Sequence, residues 1–522
     1  MPVAQAQVGT ILRDFVGGNP VDGSLPSGIT LDNGLLFGAT IQGGAFSSGL
    51  LFVIGTSGSN FTVIHDFAGP PADGASPNEP LVFNGTIFGT TYVGGTDGFG
   101  TIFKVATNGT GYTVLRNFTN IPDAQYPVAG LISDGATLYG TSLDGGSDGV
   151  GTVFKIDMDG ANFSILHHFT NNPDGAMPQG QLWLDGATLY GTTASGGNNN
   201  LGTIFKLNTN GGDYSVVFNF SNTPSAKTPF AGPTLAGGLI YGVGTAGGTD
   251  NLGAVFCLAT NGAGFTVIHS FTNSESQSPQ GALVESNGIL YGTSVARGTG
   301  LSGTVFQLAT NGADFLVLQN FTNATTGANP KGPLVFNGNT LFGTANTGGS
   351  GGGGALFSLQ LSPVITLQPQ GGTITNGDSV TFISAATGAT PLGYQWLFST
   401  NILISDATNA TLAFANANLP GVYSMKVTNN FGSVTSSFAL LTISSQPLLL
   451  SSGFDLLSGS YSFTFVDIAG STNRLWATTN LADSSAWYAI ATNVMATNAP
   501  WFYTDANTAR TNDYRFYRFS TP

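Results

Sequence analysis

An all-β architecture follows from three features of this 522-residue chain. First, the phrase Gly-Thr-Val-Phe-Lys-Ile recurs with variants from Gly49, Gly100, Gly151, Gly202, Gly253, Gly303 and Gly354, at intervals of 51, 51, 51, 51, 50 and 51 residues. A period near 50 means an array of small units, none of which buries a core alone. Second, short runs rich in β-branched and aromatic residues are bounded by turn formers, the pattern of strands. Third, these runs are distributed so that the two ends of the array complete one another.

One unit shows the elements in order. Leu182–Asp185 leads through Gly186 into Thr188–Thr193, a Gly196-Gly197-Asn-Asn-Asn200 loop follows, then Gly202–Leu207, and Asn210-Gly211 turns the chain into Tyr214–Phe220. These four runs form an antiparallel meander, labelled strands a to d. Asn-Gly favours a type I′ hairpin, because both central residues need positive φ. Asn84-Gly85, Asn108-Gly109, Asn261-Gly262, Asn311-Gly312 and Asn337-Gly338 are expected to form equivalent two-residue turns.

Copy-counting then locates the closure. The first d strand, Val8–Phe15, precedes any a strand, while the last a–b–c set, about 333–361, has no d strand after it. Each supplies what the other lacks. The expected fold over residues 8–361 is a seven-bladed β-propeller closed by the N-terminal strand, which leaves no long free edge. Met1–Gln7 reads as a signal-peptide remnant or tail.

The motif order resembles the kelch family: an aromatic-Gly pair in strand b (Tyr139-Gly140, Tyr190-Gly191), a di-glycine (Gly94-Gly95, Gly145-Gly146), then strands c and d. Arg297-Gly298 departs from the di-glycine. The kelch tryptophan is replaced by Phe61, Tyr112, Phe163, Tyr214, Phe265 and Phe315. The sevenfold Gly-Thr-Val-Phe-Lys phrase with its Phe-Thr-Val-Leu-His-Phe partner also resembles the GloVer tandem-repeat proteins over about residues 8–361. That resemblance implies an exported bacterial surface protein and carries no biochemical activity.

After Leu361 the period stops. Residues 363–443 resemble an immunoglobulin-like domain, on Gly377–Phe382, Tyr394-Gln-Trp396, Gly421-Val-Tyr423 and Asn429–Gly432. The resemblance implies that Trp396 is the core tryptophan and Tyr423 the tyrosine-corner residue. Ser384 and Met425 stand where bridging cysteines would be. Residues 447–522 resemble C-terminal β-sandwich modules of secreted bacterial proteins, with Arg510, Arg515 and Arg518 as a local basic group. The fold class is therefore all-β, a propeller followed by two small sandwiches.

Composition limits function. Only 8% of residues are charged and the net charge is −14 with 13 Lys and Arg, which argues against binding nucleic acid or anionic lipid. No apolar run is long enough to span a membrane. Low charge and Asn/Thr-rich loops fit a secreted or cell-surface bacterial protein. Cys257 is the only cysteine and occupies a strand-c position held elsewhere by Lys104, Lys155 and Lys206.

In a meander the b–c and d–a loops share one face, and these are the longer loops, so binding should favour that face. Candidate ligand groups are Asp97, Asp144, Asp148 and Asp250 in b–c loops and Asp73, Asp123 and Asp174 in d–a loops. With loop carbonyls these carboxylates are candidates for calcium, but Asx turns explain them more simply, and none has the spacing of a strong calcium loop. No other cofactor, metal or catalytic residue is expected. His65, His167 and His269 share one strand-d position, 102 residues apart, filled elsewhere by Arg13, Arg116, Phe218 and Gln319. They are expected at surface or inter-blade positions, and His168 is merely a neighbour. The leading expectation is a non-enzymatic binding or adhesion protein presenting a propeller face to an extracellular glycan or protein. The rivals are a self-assembling sheath or fibre protein and a polysaccharide-active enzyme, which needs two acids about 5–9 Å apart.

Overall fold

The computed structural model describes residues 9–17, 22–222, 225–374, 378–389, 391–399, 401–429, 431–443 and the strand segments 448–455, 460–466, 472–478, 488–494, 501–505 and 516–520. The tail 1–7, Val8, Gly377, Arg510 and Arg515 lie outside them. Every regular element among the described residues is a strand. The chain divides into two compact units, Met1–Leu361 and Ser362–Pro522.

The first unit contains seven antiparallel sheets of the expected a–b–c–d order. The fourth sheet, for example, is Trp183–Asp185, Thr188–Thr193, Thr203–Asn208 and Ser215–Asn219. In the seventh sheet, Val335–Asn337, Thr340–Ala345 and Gly352–Gln360 are completed by Thr10–Val16 from the start of the chain. The sheets pack face to face in sequence. Tyr139, Val153 and Phe169 of the third sheet, for instance, share one buried cluster with Leu189, Phe205 and Leu207 of the fourth. The first and seventh sheets share another, of Phe15, Ile29, Phe52, Phe342 and Leu356. Between the sixth and seventh, Tyr291 meets Phe336 edge-on at 5.2 Å and Phe321 meets Phe357 at 5.1 Å.

Two glycines of the repeat have steric causes. In the strand-b pair Tyr190-Gly191, Gly191 sits opposite Phe205, whose ring lies across it where a Cβ would be. The phrase-opening Gly202 has φ +94°, and a Cβ there would overlap the Thr193 carbonyl and stand 2.9 Å from Pro229 of the next sheet. The same proline contact recurs from Gly354 to Pro26, between the seventh sheet and the first. Before each of these prolines stands a non-glycine residue in the left-handed region, Leu25, Ser76, Tyr126, Met177, Thr228, Ser278 and Asn329, with φ from 54 to 58°. In six of them the N–H donates to the preceding sheet's b–c loop, as Met177 does to the Val150 carbonyl at 2.8 Å. Such a conformation costs about 1–3 kcal/mol and persists only where its surroundings over-determine it; here a proline contact at every joint between sheets, and a hydrogen bond at six of them, hold it.

The Asn-Gly turns are not all alike, and at Asn337-Gly338 the asparagine closes strand Val335–Asn337 while only the glycine has positive φ. Asn84-Gly85 has both residues at positive φ, 48 and 73°, as a type I′ turn requires. At Asn108-Gly109, Asn261-Gly262 and Asn311-Gly312 only the glycine does. These are c–d turns of about six residues; in the second sheet the turn joins Thr101–Ala106 to Thr113–Asn117. Gly109 N donates to the Ala106 carbonyl and the Asn108 side chain accepts from Thr110 N at 3.0 Å. The wider loop allows Tyr112 and its equivalents to swing onto the neighbouring sheet, which a two-residue turn would not.

In the second unit, Gly393–Phe398 and Gly421–Asn429 lie in a six-stranded sheet, and Val380–Ile383 pairs with Thr411–Phe414. Trp396 and Tyr423 are buried together with Phe382 and Met425. The Tyr423 hydroxyl donates to the Leu419 carbonyl at 2.8 Å, and Trp396 Nε1 donates to that of Asn409 at 3.0 Å. Ser384 Oγ donates to the Leu367 carbonyl at 2.9 Å, and the Met425 thioether is packed in the core.

Candidate functional site

At the outer seams, a strand-d side chain of one sheet stacks on the ring that precedes strand d of the next. His65 lies 3.7 Å from the Tyr112 ring, His167 3.6 Å from Tyr214 and His269 3.9 Å from Phe315. Arg13 and Arg116 stand over Phe61 and Phe163 at 4.1 and 4.3 Å, and Phe218 stacks on Phe265 at 4.1 Å. The rings at Phe61, Tyr112, Phe163, Tyr214, Phe265 and Phe315 therefore serve the joints between sheets.

A d–a loop acid holds most of these residues from the other side. Asp73 accepts from His65 (3.1 Å), Ala68 N (2.9 Å), Gly74 N (2.7 Å) and the Tyr112 hydroxyl. Asp123 accepts from Arg116 (2.6 Å), Thr119 N and Ala124 N, and Asp174 from His167 (2.9 Å) and Thr170 N. Asp22 pairs with Arg13 at 3.1 Å, and Glu275 stands 3.4 Å from His269. Burial alone would raise the Asp73 pKa, but the hydrogen bonds from His65, Tyr112 and the two amides outweigh it and hold the carboxyl below its ordinary value. Burial pushes His167 and His269 below the usual imidazole value, against the upward pull of Asp174 and Glu275.

The other candidate carboxylates lie apart from these. Asp97, Asp148 and Asp250 are exposed on b–c loops, and Asp144 is half-buried, its pKa raised by burial. The b–c loops are tied down by the residue after the histidine position. Asn117 accepts from Thr96 N, Asn219 from Asn198 N, and His168 Nδ1 from Ser147 N at 3.2 Å. His168 is thus a loop cap, which the sequence reading missed; the signal was its alignment with Asn117 and Asn219. Cys257 is half-buried, and burial raises its thiol pKa. Among the described residues no three His, Cys, Asp or Glu side chains come together to hold a metal ion.

The seven a strands converge elsewhere. Residues following the repeated proline (Ser27, Asn78, Val128, Gln179, Phe230, Gln280 and Lys331) line one cavity of about 560 Å³ with their successors Glu79, Ala129, Gly180, Ala231 and Gly332. Ile41 and Tyr92, from the ends of strand b, join the lining. Strand a begins and strand b ends where the d–a and b–c loops lie, so the cavity belongs to that end of the sheets. Besides the ionisable Glu79 and Lys331 and the rings of Phe230 and Tyr92, the lining mixes the polar Asn78, Gln179, Gln181 and Gln280 with apolar Ile41 and Val128 and small residues. None of the seven candidate aspartates is in it. With Glu79 as its one carboxylate, the cavity does not contain the paired acids of glycoside hydrolysis.

The model of the Gloeobacter/Verrucomicrobia repeat matches residues 32–256 and 226–369. The chain belongs to the Gloeobacter/Verrucomicrobia repeat family. The family match covers the seven-sheet unit from residue 32 to its end at Leu361 and runs on to residue 369. A comparison with curated protein sequences found no match. Among solved structures, this family member is similar to the tricorn protease (10% identity, TM-score 0.36), covering 92% of this chain and 39% of that one. It is also similar to a puromycin-hydrolyzing peptidase of Mycobacterium tuberculosis (9%, TM-score 0.42; 84% and 57%). A third similarity is to the β-propeller domain of the Trilobed protease from Pyrococcus furiosus (8%, TM-score 0.39; 65% and 96%). The chain thus spans well under two thirds of the tricorn protease and of the peptidase.

Proposed function

We propose that this is an exported, non-enzymatic binding protein whose seven sheets make a closed, kelch-like seven-bladed β-propeller. In the chain it is followed by an immunoglobulin-like module and a second β-sandwich. The closure reading is supported by the pairing of Thr10–Val16 with Gly352–Gln360 and by the Gly354–Pro26 contact. Gly9 N also donates to Gln319 Oε1 at 2.7 Å, and Asn346 Nδ2 to the Pro26 carbonyl at 3.2 Å. The Trp396 and Tyr423 hydrogen bonds support the immunoglobulin-like reading. Export rests on the low charge and Asn/Thr-rich loops.

The observation that carries the binding function is the cavity. It has the size that encloses small ligands and is lined by amides and rings rather than by an acid pair. Its ligand is an extracellular glycan or protein segment, with Asp97, Asp144, Asp148 and Asp250 as outer contacts of the same face. Asp73, Asp123 and Asp174 act on that face by fixing its loops.

A glycan array and a pull-down on cell-wall material, run with wild type and with a Gln179→Ala/Phe230→Ala variant, test the proposal. Wild type should bind and the cavity variant should bind at least tenfold more weakly. Absence of any glycan or protein partner, or binding indifferent to the cavity variant, would sink it.

A further inference from the structure

Two ionisable side chains in the cavity have no hydrogen-bond or ion-pair partner among the described residues, and both break the repeat. Glu79 stands where the sister sheets have Gly28, Ala129, Gly180, Ala231, Gly281 and Gly332. Its side chain lies along the first sheet, where a Cβ on Gly28 would come within 3.1 Å of the Glu79 carboxyl carbon. The missing side chain at position 28 makes its room. Lys331 stands where the other sheets carry Ser, Asn, Val, Gln, Phe and Gln. It is half-buried and is not within 4 Å of any carboxylate oxygen of the described residues. Withdrawing an ammonium from water without a counter-charge is costly. A ligand that brings the counter-charge removes that cost.

The remaining lining narrows the chemistry. The Gln179 and Gln280 amides have no partner among the described residues. Gln181 donates its Nε2 to the Leu131 carbonyl at 3.2 Å and leaves its own carbonyl oxygen available. Phe230 and Tyr92 offer flat apolar faces. One cation, one carboxyl, several planar amides and two rings match a molecule with many hydroxyls, apolar C–H faces and a single negative charge. Sulfate and phosphate esters match less well, since arginine forks or several N–H donors hold them, and the lining has no arginine.

We propose that the cavity binds a hexuronate unit of an acidic polysaccharide, with the sugar carboxylate on Lys331 and Glu79 hydrogen-bonded to another part of the same saccharide. This rests on the glycan-binding reading above. Burial pushes Glu79 up to about 8, so at neutral pH it is a carboxylic acid that can donate a hydrogen bond and adds no negative charge to repel an anion. Lys331 and Tyr92 are the other titratable groups of the lining.

The test is titration calorimetry with glucuronate-, galacturonate- and mannuronate-containing oligosaccharides and their carboxyl-reduced counterparts, at pH 6.5 and 9. An oligo-aspartate peptide serves as a second anionic probe. At least one uronate should bind tenfold or more tightly than its reduced form, and Lys331→Gln should erase that preference. Wild-type affinity for that uronate should fall severalfold at pH 9, and Glu79→Gln, with Tyr92→Phe as control, should reduce the fall. Burial also lowers the Lys331 pKa, so the remainder comes from Lys331 losing its proton and should be absent from Lys331→Gln. Both cavity variants replace unpartnered ionisable groups with a neutral amide and should fold as wild type does. Equal binding of acidic and reduced sugars, unaltered by Lys331→Gln, overturns the hexuronate assignment and leaves the glycan-binding reading standing. Tighter binding of the peptide overturns the sugar class. Failure of every probe removes the assignment, and if the array and pull-down also find no partner, the binding reading falls with it.

Discussion

At the seam between the first and second sheets, Asp73 accepts four hydrogen bonds while His65 lies flat on Tyr112. In the cavity, Glu79 and Lys331 are left without partners. Both regions are made from the same repeat, and both place ionisable groups out of bulk water. The difference separates scaffold from site. A buried acid whose lone pairs are all engaged has nothing left to offer a ligand, whereas an unpartnered one is costly until something binds.

The largest expected effect tests the seam. Asp73→Ala leaves the Tyr112 hydroxyl, His65 and the amides of Ala68 and Gly74 without their acceptor. Since each unsatisfied buried group costs about 1–3 kcal/mol, a loss of about 3 kcal/mol is expected in urea unfolding at pH 7. Because the folded pKa of Asp73 is depressed, its contribution is present above the ordinary value of 3.8 and fades as pH falls through the folded value. The gap should therefore narrow in acid. A loss under about 1 kcal/mol at neutral pH would erase the contrast between seam and cavity.

Glu79→Gln probes the other side, with the opposite sign. The native state holds the Glu79 proton up to about pH 8, the unfolded chain only to about 4.5. Stability from this group is full below the lower value and is lost as pH rises toward the upper one. The variant should match wild type near pH 4.5 and exceed it by about 1–3 kcal/mol at pH 8.5. Equal unfolding midpoints at both pH values would mean that Glu79 has a partner after all.

The smallest effect sharpens the comparison within the seams. The fourth sheet already uses Phe218 on Phe265 where the third uses His167 on Tyr214, so His167→Phe should shift stability at pH 7 by about 1 kcal/mol or less. The lowered folded pKa of His167 means that the unfolded chain takes up protons first below about pH 6.5, so wild-type stability falls as pH drops from there. Thermal unfolding between pH 7 and 5 should show a shallower decline for the variant. An unchanged slope would show that His167 is not the titrating group.

Much of this was readable in the chain. The 51-residue phrase and the orphan first d strand prescribed the pairing of Thr10–Val16 with the last sheet, because strand period and turn residues act locally. The c–d turns were misread because Asn-Gly serves two geometries, and only the loop length across Asn108-Gly109 separates them. The aspartates were attractive by residue type, yet the partners of Asp73 and Asp174 come from strand d, from the loop and from the next sheet, none of which spacing reveals. Glu79 and Lys331 were overlooked although their signal was available, since each replaces a small or neutral residue just after a proline that recurs seven times. Their convergence needed the seven a strands in three dimensions.

The completion of the seventh sheet by Thr10–Val16 imposes an order on manufacture. That segment leaves the ribosome more than 300 residues before its partner Gly352–Gln360, and until then both edges are open to other chains. A nascent molecule can dock its leading strand on a neighbour's unfinished sheet as readily as on its own. Crowded synthesis therefore favours interlocked oligomers, and dilution or a chaperone that shelters the leading strand favours the monomer.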